Sequence, residues 1–128
     1  MNKELIELQR GCSACVVILE NYCKELKKAL IMEANIDDEY LFSGKINNPI
    51  FKERLEKISN TDNLIYFVIR GITEINEELQ NRYLGLIKDR EFSGYNLPDN
   101  VIIVLTVKTK EELKKISKEL YHFCVVAF

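Results

Sequence analysis

Proline and histidine are scarce in this chain: its 128 residues hold two prolines, Pro49 and Pro98, and one histidine, His122. Both prolines fall in stretches rich in Asn, so no helix or strand candidate is interrupted, and no linker, internal repeat or low-complexity segment divides the sequence. A single domain over residues 1–128 is expected, long enough to bury roughly two thirds of the surface its unfolded form exposes. With one histidine, imidazole acid–base chemistry rests on His122 alone, which would need a neighbouring partner; beside the last strand it reads as a structural residue.

Uncharged apolar runs long enough to cross a bilayer are missing as well. The start, Met-Asn-Lys-Glu-Leu-Ile-Glu, carries acids where a signal peptide needs a basic start and an apolar core. No membrane association and a cytoplasmic location are therefore expected. The four cysteines, Cys12, Cys15, Cys23 and Cys124, are then expected to remain thiols. Basic excess is also lacking: 18 Lys and Arg against 20 Asp and Glu give a net charge of -2. No global field steers such a surface onto nucleic acid, which is not an expected partner.

What remains is an ordinary globular mixture, 47% hydrophobic and 30% charged. The most informative stretch runs from Leu64 to Thr106. An apolar strand candidate, Leu64–Ile69, leads through Arg70-Gly71 into an amphipathic helix from Asn76 to about Arg90 that turns Leu79, Tyr83, Leu86 and Ile87 inward. A polar loop, Glu91–Asn100, feeds a second apolar strand, Val101–Thr106. Two continuous apolar strands joined by a helix make a βαβ unit, and such runs suit parallel strands covered on both faces.

The flanking segments extend this pattern. Leu30–Ala34 reads as a short strand closing in the turn-rich Asn35-Ile36-Asp37-Asp38, and Ile50–Ile58 as a surface helix with Phe51, Leu55 and Ile58 on one face. Lys110 to about Leu120 is a helix candidate capped by Thr109, and Phe123–Phe128 is a last buried strand. The first thirty residues support two readings. Leu5, Leu8, Cys12, Cys15, Leu19, Tyr22, Leu26 and Ala29 would form one stripe on a single long helix; alternatively Leu5–Gln9 is a strand, Arg10-Gly11 a turn, and a helix begins near Ser13. The expected fold class is α/β, three layers α/β/α around a mainly parallel sheet of four strands, or five if Leu5–Gln9 is one.

From Asp37 to Phe128 the chain resembles the core of AAA+ ATPases, nearest their MoxR-like branch. Asp38-Glu39-Tyr40-Leu41-Phe42-Ser43-Gly44 resembles that branch's acidic, Gly-ended segment. Ile65–Arg90 is similar, without a gap, to its Walker B strand and following helix, including Ile72, Gln80, Leu84 and Arg90. Leu97-Pro98-Asp99-Asn100-Val101 looks like the turn into the sensor-1 strand, and Phe123–Phe128 like the strand that ends the core. The resemblance covers about 90 residues and implies a P-loop NTPase-like fold.

It also implies a nucleotide site whose residues have been replaced. An active member ends its Walker B strand in Asp-Glu, for Mg²⁺ and for preparing the attacking water. Arg70 and Gly71 stand there, and neither side chain binds a metal cation or serves as a base. The P-loop place is matched to Gly11-Cys12-Ser13-Ala14-Cys15-Val16, with one Gly and no Lys following. The sensor-1 Thr-x-Asn pattern reads Thr106-Val107-Lys108, the arginine-finger place reads Tyr121-His122-Phe123, and the sequence stops before a helical lid. The expectation is a non-catalytic AAA+-like domain without cofactor, binding Mg·ATP no better than millimolar and acting on a protein partner, an active relative or its own copies. Gly11, Arg70, Gly71, Thr106, Lys108 and His122 are its degenerate nucleotide-site positions. A residual nucleotide-binding module is one alternative.

Another alternative rests on Cys12-Ser13-Ala14-Cys15. If a helix begins near Cys12, the motif resembles that of thioredoxin-like thiol–disulfide oxidoreductases, where a helix N-terminus lowers the first thiol's pKa. The segment Asn60–Asn63 lacks the proline such folds set against the disulfide. The remaining reading makes both thiols small apolar packing groups, protected from solvent. A metal site is not expected, because Cys23, Cys124 and His122 stand at no recognisable ligand spacing.

Overall fold

The computed structural model describes residues 1–35, 41–42 and 45–128. Five strands form one sheet: β1 Cys15–Leu19, β2 Ala29–Glu33, β3 Ile65–Arg70, β4 Val101–Val107 and β5 Cys124–Val126. Their spatial order is β2-β3-β4-β1-β5, and every neighbouring pair is parallel. The two strands read most plainly from the sequence are adjacent, with Ile65 opposite Val101 and Ile69 opposite Leu105. All seven residues of β4 are buried, as a central strand covered on both faces requires.

Alternation along the strands divides the core in two. Val17, Phe67, Ile69, Ile103 and Leu105 point to one face, where they meet Phe51 and Leu55 of α2 (Pro49–Ser59), Leu86 and Ile87 of the chain between β3 and β4, and Ile116 and Leu120 before β5. Val16, Ile18, Val68, Ile102 and Val104 point to the other, covered by Ile6 of α1 (Lys3–Glu7) and Leu26. The result is a three-layer α/β/α, P-loop NTPase-like fold with one heavily and one lightly covered face. The rings of Phe51, Phe67 and Phe92 pack tilted or edge-on at 5.1–5.8 Å on the heavier side.

Several elements depart from the sequence reading. The N-terminal segment is neither one helix nor strand–turn–helix from Ser13. It is the short helix α1, an irregular turn, and then β1, which starts at Cys15 and supplies the fifth strand in place of Leu5–Gln9. Leu5–Gln9 holds the end of α1 and the turn after it instead, with Asn2 accepting from Leu5 N–H as cap. Between the stripe residues Cys15 and Leu19 stand Val16, Val17 and Ile18, whose β-branching suits a doubly buried strand better than a helix.

The two later helices are each broken. Between β3 and β4 the chain forms α3 Glu77–Asn81 and α4 Leu84–Asp89, and the intervening Tyr83 is buried with its hydroxyl donating to Ala34 O at 2.7 Å. Where one helix over Lys110–Leu120 is expected, a 3₁₀ turn at Lys110–Lys115 precedes α5 Lys118–Tyr121, and Ser117, not Thr109, makes the side-chain cap. The expected loop Glu91–Asn100 contains a hairpin, Glu91–Phe92 with Tyr95–Asn96, turned by Ser93 and Gly94 at φ 50° and 85°. All of the turn Asn35–Asp38 but Asn35, and most of the segment Asp38–Gly44, lie outside the described residues; Leu41–Phe42 pairs with Lys45–Ile46. No helix among the described residues is long and apolar enough to cross a membrane.

Candidate functional site

In open parallel sheets ligands bind beyond the carboxyl ends of the strands, where connections leave to opposite faces. Here β1 leaves toward the lightly covered face and β4 toward the heavy one, so the crevice lies beyond Leu19 and Val107, with the end of β3 alongside. Arg70, Gly71, Thr106 and Lys108 all stand at this rim. The sequence reading therefore assembles four of its candidate positions in one place.

Their partners, however, come from the chain itself. Arg70 and Glu33 are direct cross-strand neighbours, and the guanidinium binds the Glu33 carboxylate; the hydrogen bond and charge of Glu33 raise the Arg70 pKa. Lys108 Nζ lies 2.8 Å from Glu74 Oε1, and the hydrogen bond and charge of Lys108 hold the Glu74 carboxyl below its ordinary range. The Lys108 backbone N–H donates to Glu112 Oε1 at 2.6 Å, and Thr73 Oγ1 donates to the same oxygen at 3.3 Å. Both cations are thus engaged by carboxylates before any ligand arrives. The Thr106 hydroxyl is buried and has no hydrogen-bond partner among the described residues.

Gly71 is special in its backbone. It sits at φ +81°, in the left-handed region, and a Cβ built there would lie 3.0 Å from Glu74 Oε2. A glutamate at this place would be strained by its backbone angle and crowded by a second carboxylate. The turn leaving β1 is a 3₁₀ helix, Glu20–Glu25, of sequence Glu-Asn-Tyr-Cys-Lys-Glu. It supplies no glycine-rich cradle, and it places Glu20 close enough to Arg70 and Lys108 to act on both charges.

Gly11 does not join this group. A P-loop follows its strand, whereas Gly11–Ala14 precedes β1 and lies at the amino ends of the strands, on the opposite side of the sheet. There Arg90 ties three segments together: its guanidinium donates to Cys12 O at 3.2 Å, Pro98 O at 2.9 Å and Val101 O at 2.7 Å. Gly11 sits at φ +74°, and a Cβ built there would lie 3.2 Å from Asp99 Cγ and Oδ1. His122 is also remote. It is exposed at the C-cap of α5, with its ring edge-on to Phe123 at 5.1 Å.

The cysteine motif is divided between two environments. Cys12 is exposed in the loop, contrary to the expectation of protection, while Cys15 is fully buried at the start of β1. No helix begins at either residue, so the dipole that would activate a thioredoxin-like thiol is not supplied there. Cys15 instead faces Cys124, with the sulfurs 3.2 Å apart; this contact and burial raise the Cys15 pKa. Sequence reasoning missed this pair, because the contact depends on β5 lying beside β1. It equally missed Glu33, Glu74 and Glu112, which register and turn geometry bring to the rim.

Among the described residues, no group of three or more His, Cys, Asp or Glu side chains is placed to hold a metal ion. A cavity of about 690 Å³ opens elsewhere, between the Lys45–Ile46 strand, Arg82, Gly85, Leu86 and Phe92, and none of the candidate residues lines it. Comparisons with protein-family models, curated proteins and solved structures give no match to this chain.

Proposed function

We propose that this chain is a non-catalytic AAA+-like domain that acts by binding another protein, an active relative or further copies of itself. The observation that carries the reading is the state of the carboxyl-end rim. The place that the resemblance gives to a catalytic Glu is a left-handed Gly71 abutting Glu74, and the place of a metal-binding Asp is Arg70 held by Glu33. Both backbone and side chains are therefore built for closed ion pairs, not for Mg²⁺ and water. The strand arrangement supports the resemblance, with the sensor-1-like β4 lying beside the Walker B-like β3.

With hydrolysis gone, what such a fold retains is its surface. A phosphate-release assay with Mg·ATP should show no turnover above a heat-denatured control. In-cell cross-linking should capture the chain joined to a second polypeptide, its own or another. Sustained turnover lost on Glu74→Ala would overturn the non-catalytic part; recovery of the chain only as an uncross-linked monomer would overturn the interaction part.

A further inference from the structure

Cys15 and Cys124 are separated by 109 positions in sequence, yet they are register partners on adjacent parallel strands. Paired strands run 4.7–4.9 Å apart, within the Cα separation that a disulfide spans. The sulfurs already lie 3.2 Å from one another. Each thiol is also oriented by the turn before β5: Cys15 Sγ lies 3.7 Å from Phe123 O, and Cys124 Sγ 3.4 Å from Leu120 O. The two residues differ in access, since Cys15 is fully buried and Cys124 only partly so. Of the two, Cys124 is therefore the side from which a small neutral oxidant would approach the pair.

We propose that Cys15 and Cys124 form a peroxide-oxidisable dithiol whose disulfide fastens the edge strand β5 to β1. In the first step the Cys124 thiolate attacks one oxygen of hydrogen peroxide; the S–O bond forms, the O–O bond breaks, and the departing hydroxide takes a proton to leave as water. In the second step the Cys15 sulfur attacks the sulfenic sulfur as its thiol proton passes to the departing hydroxide; the S–S bond forms, the S–O bond breaks, and a second water leaves. The two thiols together lose two electrons and two protons, and the peroxide is reduced to two waters. A dithiol reductant reverses the change by exchange. This inference uses none of the AAA+-like reading and stands if that reading fails.

The covalent link would close a loop spanning most of the chain, which raises stability chiefly through the unfolded state. The test uses the full chain carrying Cys12→Ser and Cys23→Ser, so that only this pair can react. After hydrogen peroxide treatment and alkylation of remaining thiols, intact mass should fall by two hydrogens with no alkyl label. Digestion without reductant should yield a Cys15–Cys124 cross-linked peptide. The melting midpoint should rise by on the order of 10 °C and return with dithiothreitol. Cys124→Val, which keeps an apolar side chain in β5, should abolish the shift. Two results would overturn the proposal: both thiols alkylated after peroxide, or Cys124 gaining oxygens with no cross-link. A peroxide-dependent rise in melting midpoint that persists in Cys124→Val would do the same.

Discussion

Asn100 shows how much a single polar side chain organises. Its amide nitrogen shares its two hydrogens among three carbonyls, Ser59 O at 3.0 Å and Thr61 O and Asn63 O at 2.9 Å each, while the residue itself is buried. One side chain just before β4 therefore sets the whole loop that delivers the chain from α2 to β3. Asn100 of the motif Leu97-Pro98-Asp99-Asn100 thus has a structural role of its own. Asn100→Ala leaves buried carbonyls unpaired and should cost about 1–3 kcal/mol. Urea unfolding of the variant checks this, with a loss below a few tenths of a kcal/mol contradicting the structural role.

Among secondary elements, the broken helices are the clearest case of tertiary contact overriding local preference. The charged run Lys110–Lys115 and the apolar positions Leu113, Ile116 and Leu120 have helical spacing, yet the chain opens at Ile116. The cause is Gln80, buried in α3: its Nε2 donates to Lys115 O at 2.9 Å and to Ile75 O at 3.1 Å, and its Oε1 accepts from Ser117 N–H at 2.6 Å. A carboxamide on one segment thus replaces helical hydrogen bonds in another, which no pattern within Lys110–Leu120 reveals. Gln80→Ala should cost about 1–3 kcal/mol. Amide hydrogen exchange at Ser117 should accelerate with it; unchanged protection would contradict this explanation.

The same contrast explains the N-terminal segment. A run such as Cys15–Leu19 is apolar under either helix or strand, and only the vacant place between β4 and β5 decides for strand. By comparison β3 and β4 carry their own identity, because continuous β-branched and aromatic runs bounded by polar loops suit little else. Their adjacency and parallel sense followed directly. Rim residues at the strand ends could likewise be placed from the sequence, since Arg70 and Lys108 follow their strands immediately. Their carboxylate partners could not be, because Glu33 arrives by sheet register and Glu74 through the left-handed turn at Gly71.

Taken as one body, the molecule joins an α/β/α scaffold to a carboxyl-end rim whose cations are paired by its own carboxylates. Glu20, Glu33, Glu74 and Glu112 confront Arg70 and Lys108 there, so the local balance is acidic. A triphosphate entering this crevice would meet like charge and two cations already paired, with no glycine-rich turn of N–H groups among the described residues to receive it. Calorimetric titration of the full chain with Mg·ATP measures this directly. A non-catalytic, interaction-only domain predicts no saturable heat at micromolar ligand and a dissociation constant no tighter than millimolar. Saturable binding with a micromolar dissociation constant would contradict it.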